Sequence, residues 1–245
     1  MNRKLQLFLL QLVCHIGLVW AFFNFGVTDW LISFFVYFLS SCLGGTIIYH
    51  RYYSHKSFKF KHDWVRKLFV LFGNWSASGD TISWVNNHRQ HHRLTDKSGD
   101  PHSPHVLGFV RVQWFSMFDS YTNLRFVPDM IRDKFLLSIH LNYFKFHWTI
   151  MILLCLLNFK LAAIIYLVPA ALVWNMGSFI NTVNHSLGYR TYNTTDSSTN
   201  FPPLGLLVWG EGWHNNHHAN PANANFGEKW WEVDIGYQII KLVRA

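Results

Sequence analysis

Four apolar stretches, arranged in two pairs, decide what this chain can become. Leu5 to Val27 is broken only by Gln6, Gln11, His15 and Asn24. Trp30 to Ile48 follows after Thr28 and Asp29. At ~1.5 Å rise per residue this second run covers about 28 Å, one hydrocarbon core. Tyr143 to Leu157 and Leu161 to Val183 form a second pair around the turn Asn158-Phe159-Lys160. The third run is short for a full crossing. The fourth carries Pro169, which is expected to kink its helix or to be relieved by neighbouring groups. Arg3 and Lys4 precede the first run as they would a signal peptide. The run is longer than a signal core and lacks a small-x-small cleavage site, so a retained span is expected.

The expected fold is therefore an all-α integral membrane protein, with four transmembrane helices in two hairpins. The spans are placed at about 5–27, 30–48, 143–157 and 161–183. A helical cap is expected from 49–142 and 184–245, the whole of 1–245 forming one domain. Within the cap, Val65 to Trp75 is apolar but too short to span, and reads as an interfacial or core helix. Thr191 to Asn200 is a Ser/Thr/Asn loop closed by Phe201-Pro202-Pro203. Of the 21 lysines and arginines, only Lys160 falls in a loop on the far side of the membrane. The positive-inside rule makes the cap side, with both termini, cytoplasmic. The net charge of +8 in a chain only 14% charged and 50% hydrophobic points to a membrane surface or an acidic partner, and no nucleic acid is expected. Cys14, Cys42 and Cys155 lie far apart in apolar surroundings and read as packing residues.

The 15 histidines are the chemical outlier. His88, His91 and His92 sit at i, i+3 and i+4, and so do His214, His217 and His218; each triplet lies on one helix face. His50 and His55 are five apart, about 140° around an ideal α-helix, and do not share a face without help. A frayed helix end or two metals seen from one side would accommodate them. His185 stands alone after Asn181 and Asn184. Together these are too many imidazoles for one four-coordinate ion, and two metals fit the count. Imidazole suits iron, zinc, copper and nickel, so spacing does not name the metal. His15, His62, His102, His105, His140 and His147 are read as surface or satisfied core residues.

The residues around these histidines resemble the membrane-bound fatty acyl desaturases, in the branch of stearoyl-CoA desaturase and the bacterial delta-9 desaturases. The resemblance runs through Gly45-Thr46 with Tyr49-His50-Arg51, Ser54 to Lys59, Trp84-Val85 and His88-Arg89-Gln90-His91-His92-Arg93. It continues through Asp100-Pro101-His102, Asn181 with His185, and Gly210-Glu211-Gly212-Trp213-His214-Asn215-Asn216-His217-His218, with Pro221 after. The resemblance implies that His50, His55, His88, His91, His92, His185, His214, His217 and His218 ligate two iron ions, with Asn181 holding a metal-bound water. It implies use of dioxygen and two external electrons to remove two hydrogens from an acyl chain, leaving a cis double bond of delta-9 type.

An unactivated methylene has no acidic proton, so the oxidising power must come from the metal centre. The protein's task is to position a featureless chain in a narrow apolar tunnel. Trp75, Trp84, Trp174 and Trp213 are the aromatics considered for it, Trp84 foremost. The animal acyl-CoA branch has an arginine and an aspartate where this chain has Asn86 and Asn87. The resemblance ties that charged pair to the CoA head group, so acyl-lipid, acyl-CoA and acyl carrier protein all stand open. No fused cytochrome b5 segment is expected, and a separate donor such as a ferredoxin or cytochrome b5 is expected instead. The alternatives are an acyl-chain hydroxylase on the same scaffold and, remotely, a histidine-rich metal transporter. Transport would want ionisable ligands inside the spans, whereas these clusters sit at span ends on one side.

Overall fold

The computed structural model describes residues 2–115 and 123–245. Part of the expected cap, 116–122, lies outside the described residues. The described residues form helices and no strand, with three isolated bridges in the loops. Four helices are long and apolar enough to cross a membrane: Arg3–Asn24, Val27–Ser54, Lys134–Leu157 and Phe159–Val183.

The first span is α1 (Arg3–Asn24), capped by the Asn2 side chain on the Lys4 amide. Leu5, Phe8, Leu12, Ile16, Val19 and Phe23 recur every three or four residues and stay exposed, as a lipid-facing stripe should. Leu10, Cys14 and Ala21 on its other face pack against Ala163, Leu167, Ala170 and Ala171 of the fourth span. The second span starts as α2 (Val27–Phe38) and continues as a π-helical stretch, Leu39–Ser54. It runs past the hydropathy boundary at Ile48 and carries His50 out of the bilayer on continuous helix. At the end of the spans away from the cap, Lys160 in the second hairpin turn reaches Asp29 at 2.8 Å.

The cap begins with α3 (Asp63–Trp75), which buries Phe69 and Val70 and exposes Trp64 and Leu71. It crosses the second span where Gly44 meets Gly73; a Cβ on Gly44 would lie 2.3 Å from the Gly73 Cα. Next come α4 (Thr81–Leu94) and two short helices, α5 (Pro104–Leu107) and α6 (Phe109–Trp114). The third span, α7 (Lys134–Leu157), begins nine residues earlier than its apolar run because Asp133 caps it through the Phe135 and Leu136 amides. Its polar first turns are satisfied: His140 Nδ1 bonds Asp80 at 2.9 Å.

The fourth span comprises α8 (Phe159–Ala162), a π-helical turn Ala163–Leu167 and α9 (Val168–Val183). Pro169 has no N–H to offer the carbonyl of Ile165. That carbonyl instead accepts the indole N–H of Trp75 at 2.8 Å, and the neighbouring Ile164 carbonyl accepts Ser33 Oγ at 2.8 Å. An unpaired carbonyl in hydrocarbon costs several kcal/mol, so these neighbours remove the penalty of the proline. The cap closes with α10 (Pro202–Leu207), α11 (His214–Ala219) and α12 (Ile235–Val243).

Candidate metal centre

The nine histidines that the resemblance marks as ligands converge into two groups. His50, His55, His88, His92 and His217 form one, and His91, His185, His214 and His218 the other; in each, the candidate ligand atoms lie within 4.8 Å of one another. The α4 triplet therefore divides between the groups, and so does the α11 triplet. The helix that carries His88, His91 and His92 is fixed at its start by Asp80. That carboxylate accepts the Ser83 amide, the Ser83 hydroxyl and His140, and lies 3.5 Å from Arg3. Arg89, flanking the histidine face of α4, grips Asp129 and the Tyr53 carbonyl.

His50 and His55 meet through π-winding. The bonding of i to i+5 turns the chain less per residue than an α-helix does, so residues five apart come onto one face. The His55 amide bonds the His50 carbonyl at 3.2 Å and the two ring centroids are 4.9 Å apart.

The ring nitrogens fit a cation. His50 donates Nδ1–H to Glu211 at 2.5 Å, His91 to Asp100 at 2.9 Å, and His218 to Asp196 at 3.0 Å. The Nδ1 of His185 lies 3.2 Å from Ser197 Oγ, with Asp96 at 3.6 Å. Each of these imidazoles is thereby set to present a bare Nε2 lone pair to its cluster. The Nε2 atoms of His50 and His217 approach to 2.9 Å, those of His55 and His88 to 2.9 Å, and those of His214 and His218 to 3.1 Å. The Nε2 atoms of His91 and His185 are buried with no protein partner. Converging unpaired lone pairs are unfavourable unless a metal ion takes them. Carboxylate-oriented imidazoles are the usual arrangement at such sites.

Burial, then the charge of neighbouring imidazoles, pushes His55, His88, His92, His214 and His217 well below the ordinary histidine value. His218 and His102 fall to about 4, burial again leading. Burial alone would raise Asp96 and Asp196. Hydrogen bonds from His185, Ser103 and Ser197 to the first, and from His218 and Ser198 to the second, outweigh it and hold both below the carboxylate range. A consequence follows for the metal-free protein. The unfolded chain takes up protons below about pH 6.5 that folded His102 and His218 refuse until about pH 4. Its melting temperature should therefore fall as pH drops through that window. A melting temperature flat across it would contradict the buried, neutral state of these rings.

A cavity of about 920 Å³, its open mouth included, adjoins both clusters. Its wall includes His50, His88 and His214, together with Trp84, Asn87, His102, Asn181 and Glu211. Asn86 turns the other way. Its amide donates to the Asn123 carbonyl and accepts the Phe126 amide, so it anchors a loop. Of the four tryptophans considered, only Trp84 borders the cavity. Trp75 serves the Ile165 carbonyl, Trp174 is packed with Leu7, Tyr143 and Phe144, and Trp213 is buried with its indole on the Val233 carbonyl. Of the histidines read as structural, His105 bonds the His185 carbonyl at 2.8 Å, whereas His102 borders the cavity.

Sequence reasoning assigned no role to Asp96, Asp100, Asp196 or Glu211. Asp100 and Glu211 stand inside the motif stretches; Asp96 and Asp196 lie in turns with no periodic signal. Arg51 was likewise unassigned. It is fully buried, 3.0 Å from Asp234 and 3.6 Å from Glu211, with its guanidinium over Phe226, and it ties α12 to the shell of His50.

Fold and site together define a multi-pass membrane protein with two imidazole clusters able to hold metal, opening on a cavity. Comparison with known proteins gives the class its family. The family model described as fatty acid desaturase matches residues 28–240. The sn-1 stearoyl-lipid 9-desaturase of Anabaena variabilis is 34% identical over 94% of this chain and 86% of its own length. The Delta-9 acyl-lipid desaturase 1 of Arabidopsis thaliana is 34% identical over 95% and 78%. The Acyl-CoA 5-desaturase AL21 of Anemone leveillei is 32% identical over 94% and 73%. The chain belongs to the fatty acid desaturase family, and is an oxidoreductase acting on fatty acyl chains.

Proposed function

We propose that this chain introduces a cis double bond of delta-9 type into an acyl group carried on a glycerolipid, using two iron ions, dioxygen and two electrons from a separate acidic donor such as a ferredoxin or cytochrome b5. The observation that carries the reading is the convergence of nine imidazoles, five and four, beside a cavity between the inner halves of the spans. Overall, CH2–CH2, O2, two electrons and two protons become CH=CH and two waters. Iron bound at these clusters would supply the oxidising power that an unactivated C–H bond demands.

The protein's own groups do the rest. His50, His55, His88, His92 and His217 would hold one ion, and His91, His185, His214 and His218 the other, with Asn181 reaching the second through a water. Glu211, Asp100, Asp196 and Asp96 keep Nδ1 protonated on four of these rings and so aim Nε2 inward. Trp84 and Asn87 border the acyl path. The hydroxyls of Ser41, Ser78 and Ser83 are spent on Tyr37, Ser76 and Asp80, so these three groups make no polar demand that an alkyl chain would leave unmet. Asn86 and Asn87 offer no charge to a CoA phosphate, which favours a lipid-borne acyl group over acyl-CoA or acyl carrier protein. A cytoplasmic cap fits the distribution of lysine and arginine, and its positive charge suits an acidic donor.

Lipid analysis of a desaturase-deficient host expressing the chain tests the reading. The expected product is a fatty acid two hydrogens lighter, with a cis bond at carbon 9. A product one oxygen heavier would identify a hydroxylase, and an unchanged profile with iron and donor present would defeat both.

A further inference from the structure

Two glycines, one on the second span and one on the fourth, line the same cavity. On the second, the cavity wall is drawn by Ser41, Gly45 and His50, at successive turns of the π-helical stretch. On the fourth it is drawn by Val173, Gly177 and Asn181, four residues apart along α9. The stripe from Asn181 to Val173 is about 12 Å long at the α-helical rise. The walls thus extend from the clusters two turns towards the middle of the membrane. The outer halves of these spans are held together by the bond from Ser33 to the Ile164 carbonyl.

Gly45 and Gly177 differ from the glycines that close packing explains. A Cβ built on either meets no atom within 4 Å, whereas one on the adjacent Gly44 would lie 2.3 Å from Gly73. Packing therefore does not require glycine at 45 or 177, and both have ordinary negative φ, so neither does backbone conformation. The space they leave is ligand space.

We propose that Gly45 and Gly177 are specificity-determining residues: one turn below the clusters they hold open the bore through which the methyl-side part of the acyl chain passes. The polarity gradient sets the direction. The carrier head group stays at the wet surface, and the apolar tail runs deeper, past Gly45 and Gly177 towards Ser41 and Val173. Ser41 adds no polar demand at that depth, since its hydroxyl donates to the Tyr37 carbonyl and accepts the Trp209 indole N–H, each at 2.6 Å. A side chain at 45 or 177 would enter the bore without disturbing the protein around it.

This inference rests on the acyl desaturase reading, and its test separates the two. Gly45→Leu and Gly177→Leu, with the milder Gly45→Ala and Gly177→Ala, would be expressed as full chains in a desaturase-deficient host fed saturated acyl chains of graded length. The leucine variants should accumulate in membranes with wild-type iron content. Their ratio of long-chain to short-chain product should fall about 10-fold or more, the scale on which pocket volume discriminates methylenes, and the alanine variants should move the same way by less. Gly44→Leu should fail to accumulate. An unchanged length profile in the leucine variants would overturn the proposal. So would failure of all four variants to accumulate, because the added atoms would then be meeting protein. Absence of unsaturated product from the wild-type chain would instead defeat the desaturase reading itself.

Discussion

Replacing His91 or His214 with alanine is expected to abolish desaturation while leaving the protein in the membrane. Both belong to the cluster of four imidazoles, so either change leaves three, and the second iron should be lost from purified protein. His55→Ala acts on the cluster of five and leaves four imidazoles. Iron should persist there, held more weakly, though turnover still fails. The loss of activity should exceed the roughly 10–100-fold typical of removing a group that merely orients a ligand. Membrane insertion should survive because these rings sit beyond the ends of the spans and take no part in the lipid-facing surfaces. Retained turnover in both His91→Ala and His214→Ala would remove the case for a second metal.

Asp100→Asn is the corresponding test of the outer shell, with an expected loss of about 10–100-fold in metal affinity or activity. Asp100 is fully buried. It accepts His91 Nδ1–H at 2.9 Å and also the amides of Asp96 and His102, each at 2.8 Å. Asparagine keeps the shape and one accepting oxygen but not the charge that strengthens the bond to His91. Its amide group would also face the Asp96 N–H with a donor. The iron of the four-imidazole cluster should then exchange faster in a chelator challenge. Glu211→Gln is less informative, since it also removes one of two carboxylates beside the buried Arg51 and so perturbs folding. Chelator resistance in Asp100→Asn equal to wild type would show that the His91–Asp100 bond does not bear on the metal.

Much of this arrangement can be read from residue order. Four apolar runs, a single opposite-side lysine and the histidine spacing lead to four spans with a cap at one end. Where the reading falls short, a tertiary contact is the cause. The third span extends back to Lys134 because Asp133 caps it and Asp80 satisfies His140, neither of which hydropathy registers. His50 and His55 fail the α-helical period because their helix is wound as π. Spacing brings each histidine triplet to one face, but it does not say that His91 would part from His88 and His92, nor His217 from His214 and His218. That division depends on where His185 and His50 arrive from distant chain. Asn86 and Asn87 are equivalent by position, yet one binds a loop and the other borders the cavity, since adjacent helical residues point about 100° apart. Asp96 and Asp196 were invisible because a turn carboxylate carries no periodic mark, and only folding sets them against His185 and His218.

The central claim is that two iron ions are held by these clusters, and metal analysis of purified wild-type chain beside its His91→Ala variant tests it most directly. The account predicts about two irons per wild-type chain and about one in the variant, with nitrogen-rich coordination by X-ray absorption in both. A wild-type preparation that makes unsaturated product with a single iron, or with its iron bound by sulfur or oxygen alone, would contradict it.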